Sequence, residues 1–162
     1  GTFEIQLAKA MGAYVYTTCS SNNYDLVKKL GADYVIDYKA LDYVEVIQRQ
    51  TLGKGVDLVL DTIGGDTIQQ SPLVIRPYGR LVTIVDTATP QSLLEAWGNN
   101  LSVHFVFTPQ YRAKLDALRH LIERNQLRPV IELVIPWTQV AQAHQRLEQG
   151  GTKGKVVLQV VD

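Results

Sequence analysis

The sequence predicts an α/β protein built on an open, doubly wound parallel sheet. Two observations point there. Short runs of β-branched and aromatic residues alternate with segments whose apolar residues recur every three or four positions. The segments between those runs are long enough to be helices crossing back over the sheet, as parallel pairing through right-handed crossovers requires.

The elements follow in order. Phe3, Leu7, Ala8 and Met11 share one helical face that stops at Gly12. "AYVYTTC" (13–19) is the first strand, and "NYDLVKKLG" (23–31) puts Tyr24, Val27 and Leu30 on the face of the next helix. "DYVIDY" (33–38) is a short strand, Leu41, Val44 and Ile47 mark a helix, and "VDLVLD" (56–61) is expected to be a buried strand. Ile68, Leu73 and Val74 mark a helix ended by Pro77 and Gly79. "RLVTIVD" (80–86) and "LSVHFVF" (101–107) are strands on either side of a short helix at "PQSLLEAWG". Beyond residue 110 the rhythm changes to a longer amphipathic helix (113–127), a strand in "RPVIELVIP", a helix in "WTQVAQAHQRLEQG" and a final strand in "GKVVLQVV".

Composition narrows the function classes. Sixteen basic and sixteen acidic residues cancel, so no global field draws the chain to nucleic acid or to a membrane surface. No apolar run approaches the roughly 20 residues that span a bilayer, and a cytoplasmic protein is expected. Cys19 is the only cysteine, which excludes an intrachain disulfide and a multi-cysteine zinc site within these residues. Its place in a strand favours packing over nucleophilic chemistry. His104, His120 and His144 lack metal-ligand spacing. The acidic residues scatter over amphipathic helices, so no catalytic residue is assigned and no metal is expected.

The segments "GTFEIQLAKAMGA", "LGADYVIDYK", "GVDLVLDTIGGDTIQQS", "RPYGRLVTI" and "GKVVLQV" carry a resemblance over nearly the whole length. Together they resemble the cofactor-binding half of the medium-chain dehydrogenases and reductases, the zinc-binding dehydrogenase C-terminal domain, in its quinone oxidoreductase and enone reductase branch. The resemblance implies a Rossmann-like sheet. Gly1 resembles the last glycine of the glycine-rich turn that approaches a pyrophosphate at a helix N-terminus. The chain is therefore expected to lack its first strand, with an incomplete dinucleotide-binding domain over 1–112. Residues 113–162 then form a segment returning to an absent catalytic domain, and the fragment alone is expected to be inactive.

The resemblance also implies a binding site. An acid in the turn after the first strand would accept from a ribose 2′-hydroxyl and repel a 2′-phosphate, and the turn Ser20, Ser21, Asn22 has none. Similar hydroxyl-rich turns bind the 2′-phosphate of NADPH, with Tyr38 in reach. The cofactor is expected to be NADPH rather than NADH; Asn22 stands where similar proteins sometimes carry arginine, and Lys39 and Lys28, which could compensate, read first as solvated surface lysines. The bland reading of the same turn is that its side chains cap the following helix. Thr62, Ile63 and Gly64 of "DTIGG" are expected along the cofactor, although paired glycines also suit a tight turn, with Asp66 capping the next helix. Phe105, Val106 and Phe107 resemble the strand end beside a nicotinamide, or one face of an edge strand.

The implied function is hydride transfer from NADPH to a small-molecule electron acceptor, a quinone or an α,β-unsaturated carbonyl compound. The alternatives are a zinc-dependent alcohol dehydrogenase, or a non-catalytic NADPH-binding regulatory or structural protein. A homodimer joined through the edge strand 101–107 is expected, by likeness to the family.

Overall fold

The fold is described from a computed structural model covering residues 1–85, 90–107 and 109–161, with backbone alone for 90–93. In chain order the first elements are α1 (Thr2–Ala10), β1 (Tyr16–Cys19), a 3-10 turn (Ser21–Asn23), α2 (Tyr24–Lys29), β2 (Tyr34–Asp37) and α3 (Tyr43–Gln50). Next come β3 (Val56–Asp61), α4 (Asp66–Gln70), a 3-10 turn (Ser71–Val74), β4 (Ile75–Thr83), α5 (Pro90–Gly98) and β5 (Ser102–Phe105). The chain closes with α6 (Arg112–Glu123), β6 (Ile131–Pro136), a 3-10 turn (Trp137–Gln139), α7 (Val140–Glu148) and β7 (Lys155–Gln159).

These elements form two compact units, one of Gly1–Val35 with Tyr111–Asp162, the other of Ile36–Gln110. In the first unit Ile5, Val15, Cys19, Val27 and Ala32 make a buried cluster, with Ala8, Leu30 and Val35 packed against it. Cys19 is thus a packing residue. Polar bonds fix the entry to β1: Lys9 Nζ donates to both carboxylate oxygens of Asp33 at 3.0 and 2.7 Å, and the Val15 amide donates to Oδ2 at 2.7 Å. In the C-terminal part of this unit β6 and β7 pair in parallel, joined through α7. Glu132 holds that crossover by accepting from Arg146 Nε at 2.7 Å and from the Lys153 amide.

In the second unit β3, β4 and β5 form a parallel sheet in that order. Asp42 caps α3 by accepting from the amides of Val44 (2.7 Å) and Glu45 (3.4 Å). That helix buries Val46 and Ile47, and the buried Ile68 of α4 adds to the same unit's interior.

Three expectations are corrected here. The helix through Ile68, Leu73 and Val74 ends at Gln70, because Pro72 enters a 3-10 turn and the β-branched pair Val74, Ile75 leads into β4. Pro77 and Gly79 therefore do not end a helix: they lie inside an irregular opening of β4, between the pairs Val56 with Ile75 and Leu58 with Arg80. The strand "VDLVLD" is not buried, with Leu58 at 52% and Leu60 at 42% exposure, because β3 has a neighbour only on its β4 side among the described residues. Strand 101–107 shortens to Ser102–Phe105, and Asp86, the end of the expected strand 80–86, lies outside the described residues.

Candidate functional site

At the carboxyl ends of β3, β4 and β5 three chain segments meet. The Val106 amide donates to the Thr83 carbonyl at 2.9 Å, and the Ile84 amide to the Asp61 carbonyl at 3.3 Å. Beneath them lies a buried polar pair, Asp61 at 2% exposure and Thr83 at 1%. Asp61 Oδ1 accepts from the amides of Ile63 (3.3 Å) and Gly64 (3.2 Å), and Oδ2 accepts from Gly64 (3.1 Å) and from Thr83 Oγ1 (3.2 Å). Burial of this carboxylate is offset by four donor contacts.

The loop so held has the backbone that its glycines permit: Gly64 at φ 76° and Gly65 at φ 58° both lie in the left-handed region. A side chain at Gly65 would meet nothing within 4 Å among the described residues. Asp66 sits in the first turn of α4, and the cap position belongs to Gly65. Ile63, Phe105 and Phe107 project from this rim as exposed apolar side chains, Phe107 at 91%. Exposed apolar groups and a glycine turn thus share the carboxyl ends of these parallel strands, the end at which open α/β sheets receive ligands.

The structure brings Thr62, Ile63, Gly64, Phe105, Val106 and Phe107 into this one unit, together with Tyr38, whose ring is exposed just after β2. Gly1, Ser20, Ser21 and Asn22 lie in the other unit. Ser20 precedes the 3-10 turn and Asn23 precedes α2, and neither side chain caps its helix, so the capping reading of "SSNN" is corrected. The preceding strand leaves Ser20 extended, at φ −77° and ψ 156°, with Ser21 and Asn22 exposed. Lys28 is exposed, and its ammonium donates to the carbonyls of Ala32 (3.2 Å) and Asp33 (2.7 Å). Lys39 stays exposed. Asp61 and Thr83 were missed by sequence reasoning. The signal available was an acid ending one strand, three residues before a glycine pair, and a polar residue within the apolar run "RLVTIV".

Among the described residues no three His, Cys, Asp or Glu side chains group to hold a metal ion. No helix is long and apolar enough to cross a membrane.

Parallel strands with helical crossovers and loops gathered at their carboxyl ends define a protein of the doubly wound α/β class. Residues 30–158 match the zinc-binding dehydrogenase family model, and the chain belongs to that family. It is 34% identical to the human mitochondrial NAD(P)H oxidoreductase RTN4IP1, over 99% of this chain and 45% of that protein. It is 31% identical to the trans-enoyl reductase pgmF of Aspergillus terreus, over 99% of this chain and 48% of that protein. Among solved structures, an NAD-dependent alcohol dehydrogenase superposes with a TM-score of 0.87 at 30% identity, covering 97% of this chain and 47% of that one. The quinone oxidoreductase of Coxiella burnetii superposes with a TM-score of 0.86 at 28% identity, covering 99% and 49%. The chain thus spans about half the length of the relatives it matches.

Proposed function

We propose that the full-length protein is an NADPH-dependent oxidoreductase that reduces quinones or α,β-unsaturated carbonyl compounds. The observation that carries this reading is that the glycine turn 64–65 after β3 and the exposed Ile63, Phe105 and Phe107 all lie at the carboxyl ends of the β3-β4-β5 sheet. Relatives named as an NAD(P)H oxidoreductase and a trans-enoyl reductase support it. When bound, the nicotinamide supplies the hydride. The residues of this chain bind and orient: Thr62, Ile63 and Gly64 along the cofactor, Phe105, Val106 and Phe107 beside the nicotinamide end, and Gly1 near the pyrophosphate. Exclusion of water from the rim falls to Phe105 and Phe107 together with the acceptor.

The 2′-phosphate is assigned to Ser20, Ser21 and Asn22 of the first unit; Tyr38 and Lys39, expected by the family resemblance, belong to the second. The freedom of the Ser20 side chain from capping supports that assignment. A preference for NADPH over NADH of roughly 10-fold to 100-fold follows from a few charge-assisted bonds offset by desolvation. Fluorescence titration of the full-length protein with both cofactors tests this, and equal affinity for NADH overturns it. Added salt is expected to narrow the gap, since the discriminating group is a charged phosphate.

A second reading, an alcohol dehydrogenase, is favoured by the solved structure named for that activity. Turnover of the full-length protein with an alcohol and NAD, lost on chelation, would select it. The RTN4IP1 relatives are mitochondrial by name, and cell fractionation separates that residence from a cytoplasmic one.

A further inference from the structure

We propose that Thr83 is a positioning residue, whose hydroxyl clamps the ends of β3, β4 and β5 in the arrangement that receives the nicotinamide half of the cofactor. The inference rests on the cofactor reading above. Thr83 Oγ1 lies 3.2 Å from Asp61 Oδ2 and 3.2 Å from the Val85 carbonyl, and it accepts from the Val85 amide at 3.1 Å. The Thr83 backbone carbonyl accepts from Val106 at 2.9 Å. One residue thereby touches all three segments of the rim: 62–64 through Asp61, 84–85 through its hydroxyl, and 106 through its carbonyl.

The chemistry of the position argues against simple packing. Thr83 is 1% exposed at the end of a strand whose neighbour Leu81 is equally buried, a place where a β-branched hydrocarbon satisfies both strand preference and burial. A hydroxyl there is retained only with partners, because a buried polar group without them is costly. Its hydrogen and a lone pair are both used, within reach of Asp61 at the end of β3 and of both backbone groups of Val85 just beyond β4. Asp61 transmits the constraint. Its Oδ2, shared between Thr83 and Gly64, sets how far the glycine turn stands from the end of β4.

The substitution Thr83→Val keeps the shape and removes the hydroxyl; Thr83→Ser restores it. In the full-length protein Thr83→Val is expected to raise the NADPH dissociation constant about tenfold, the loss of roughly one buried hydrogen bond's worth of loop order. Binding of adenosine 2′,5′-bisphosphate, which lacks the nicotinamide half, is expected to stay within about twofold of wild type, since additivity fails only for coupled neighbours. Amide hydrogen exchange of the unliganded protein is expected to quicken at Gly64 and Val85, and Thr83→Ser to return both readouts towards wild type. Asp61→Asn keeps one acceptor oxygen for the loop and turns the other position into a donor. It is expected to give the same split between the two ligands, and it carries the test if Thr83→Val does not fold. A variant that binds NADPH like wild type, or that weakens both ligands equally, overturns the clamp. A wild-type protein that binds neither NADPH nor NADH overturns the cofactor reading and the clamp with it.

Discussion

Asp33 shows how one side chain can carry a local structure and its pH response together. The hydrogen bond from Lys9 and the bond from the Val15 amide hold its carboxyl below the usual carboxylate range. A carboxyl whose pKa is lowered by folding stabilises the protein above its unfolded value, near pH 4, and that contribution is lost as the pH falls through the lowered value. Protection of the Val15 amide against hydrogen exchange is therefore expected to drop on acidification below about pH 4, and Asp33→Asn to abolish that pH dependence. Protection that is flat through this range would contradict the assignment. Gly79 is a different kind of residue constraint. A Cβ there would lie 2.9 Å from the Arg76 carbonyl oxygen and 3.0 Å from that of Asp57, and against the Ile75 side chain. Backbone on two sides cannot yield easily, so Gly79→Ala is expected to cost about 1–3 kcal/mol, read from the denaturation midpoint. The sequence shows a Gly79 that looks like a helix stop; only the distances show that it is a close approach between neighbouring strands.

The elements of interest are the two edges of the β3-β4-β5 sheet. On the β5 edge the Val106 amide is turned inward to Thr83, so by the alternation of strand geometry the amides of Val103 and Phe105 face outward. We propose that the homodimer expected from the family resemblance pairs β5 with its symmetry mate through those outward groups. Val103→Pro is expected to convert the full-length protein towards monomer in light scattering while leaving the fold intact, because edge strands tolerate proline where the lost donor faces away from the sheet. A dimer unaffected by that change places the interface elsewhere. On the other edge, β3 exposes Leu58 and Leu60. A further strand and its covering layer would bury them, as the sequence resemblance expects. Leu58→Lys is then expected to be nearly neutral in the 162-residue chain and to cost about 1.5–3 kcal/mol in the full-length protein, where a buried leucine is replaced by a charge. Equal effects in both chains would argue against a covered β3. The boundaries of these strands were only partly legible in the sequence. The apolar run 101–107 does not say where pairing stops, and the run 80–86 does not reveal that β4 starts earlier, at Ile75, through an irregular stretch containing Pro77.

At the scale of the molecule, the two units are expected to respond differently to pH. Asp33 and Glu132, both with lowered pKa values, lie in the unit of Gly1–Val35 and Tyr111–Asp162. For Glu132 the leading cause is the bond from the Lys153 amide, followed by the Arg146 guanidinium. In the other unit burial holds the Tyr43 hydroxyl above its ordinary range while it donates to the Thr67 carbonyl at 3.1 Å. That contribution is present below about pH 10 and is lost as the pH rises through the raised value. Amide exchange is accordingly expected to rise first around Val15 and Lys153 in acid, and around α3 and α4 in strong alkali; uniform loss of protection at both extremes would overturn the assignment. The period of the apolar residues, by itself, determined the alternation of helices and strands, because burying one face of each element imposes 3.6 or 2 on the pattern regardless of partner. Family membership was equally legible, since its motifs are local. The pairing of Asp61 with Thr83, the inward turn of the Val106 amide, the engagement of Lys28 and the exposure of β3 were decided only by tertiary structure. Each depends on which backbone groups of a neighbouring segment come within hydrogen-bond reach, or on whether a neighbouring segment is there at all, and no spacing along one segment encodes the position of another.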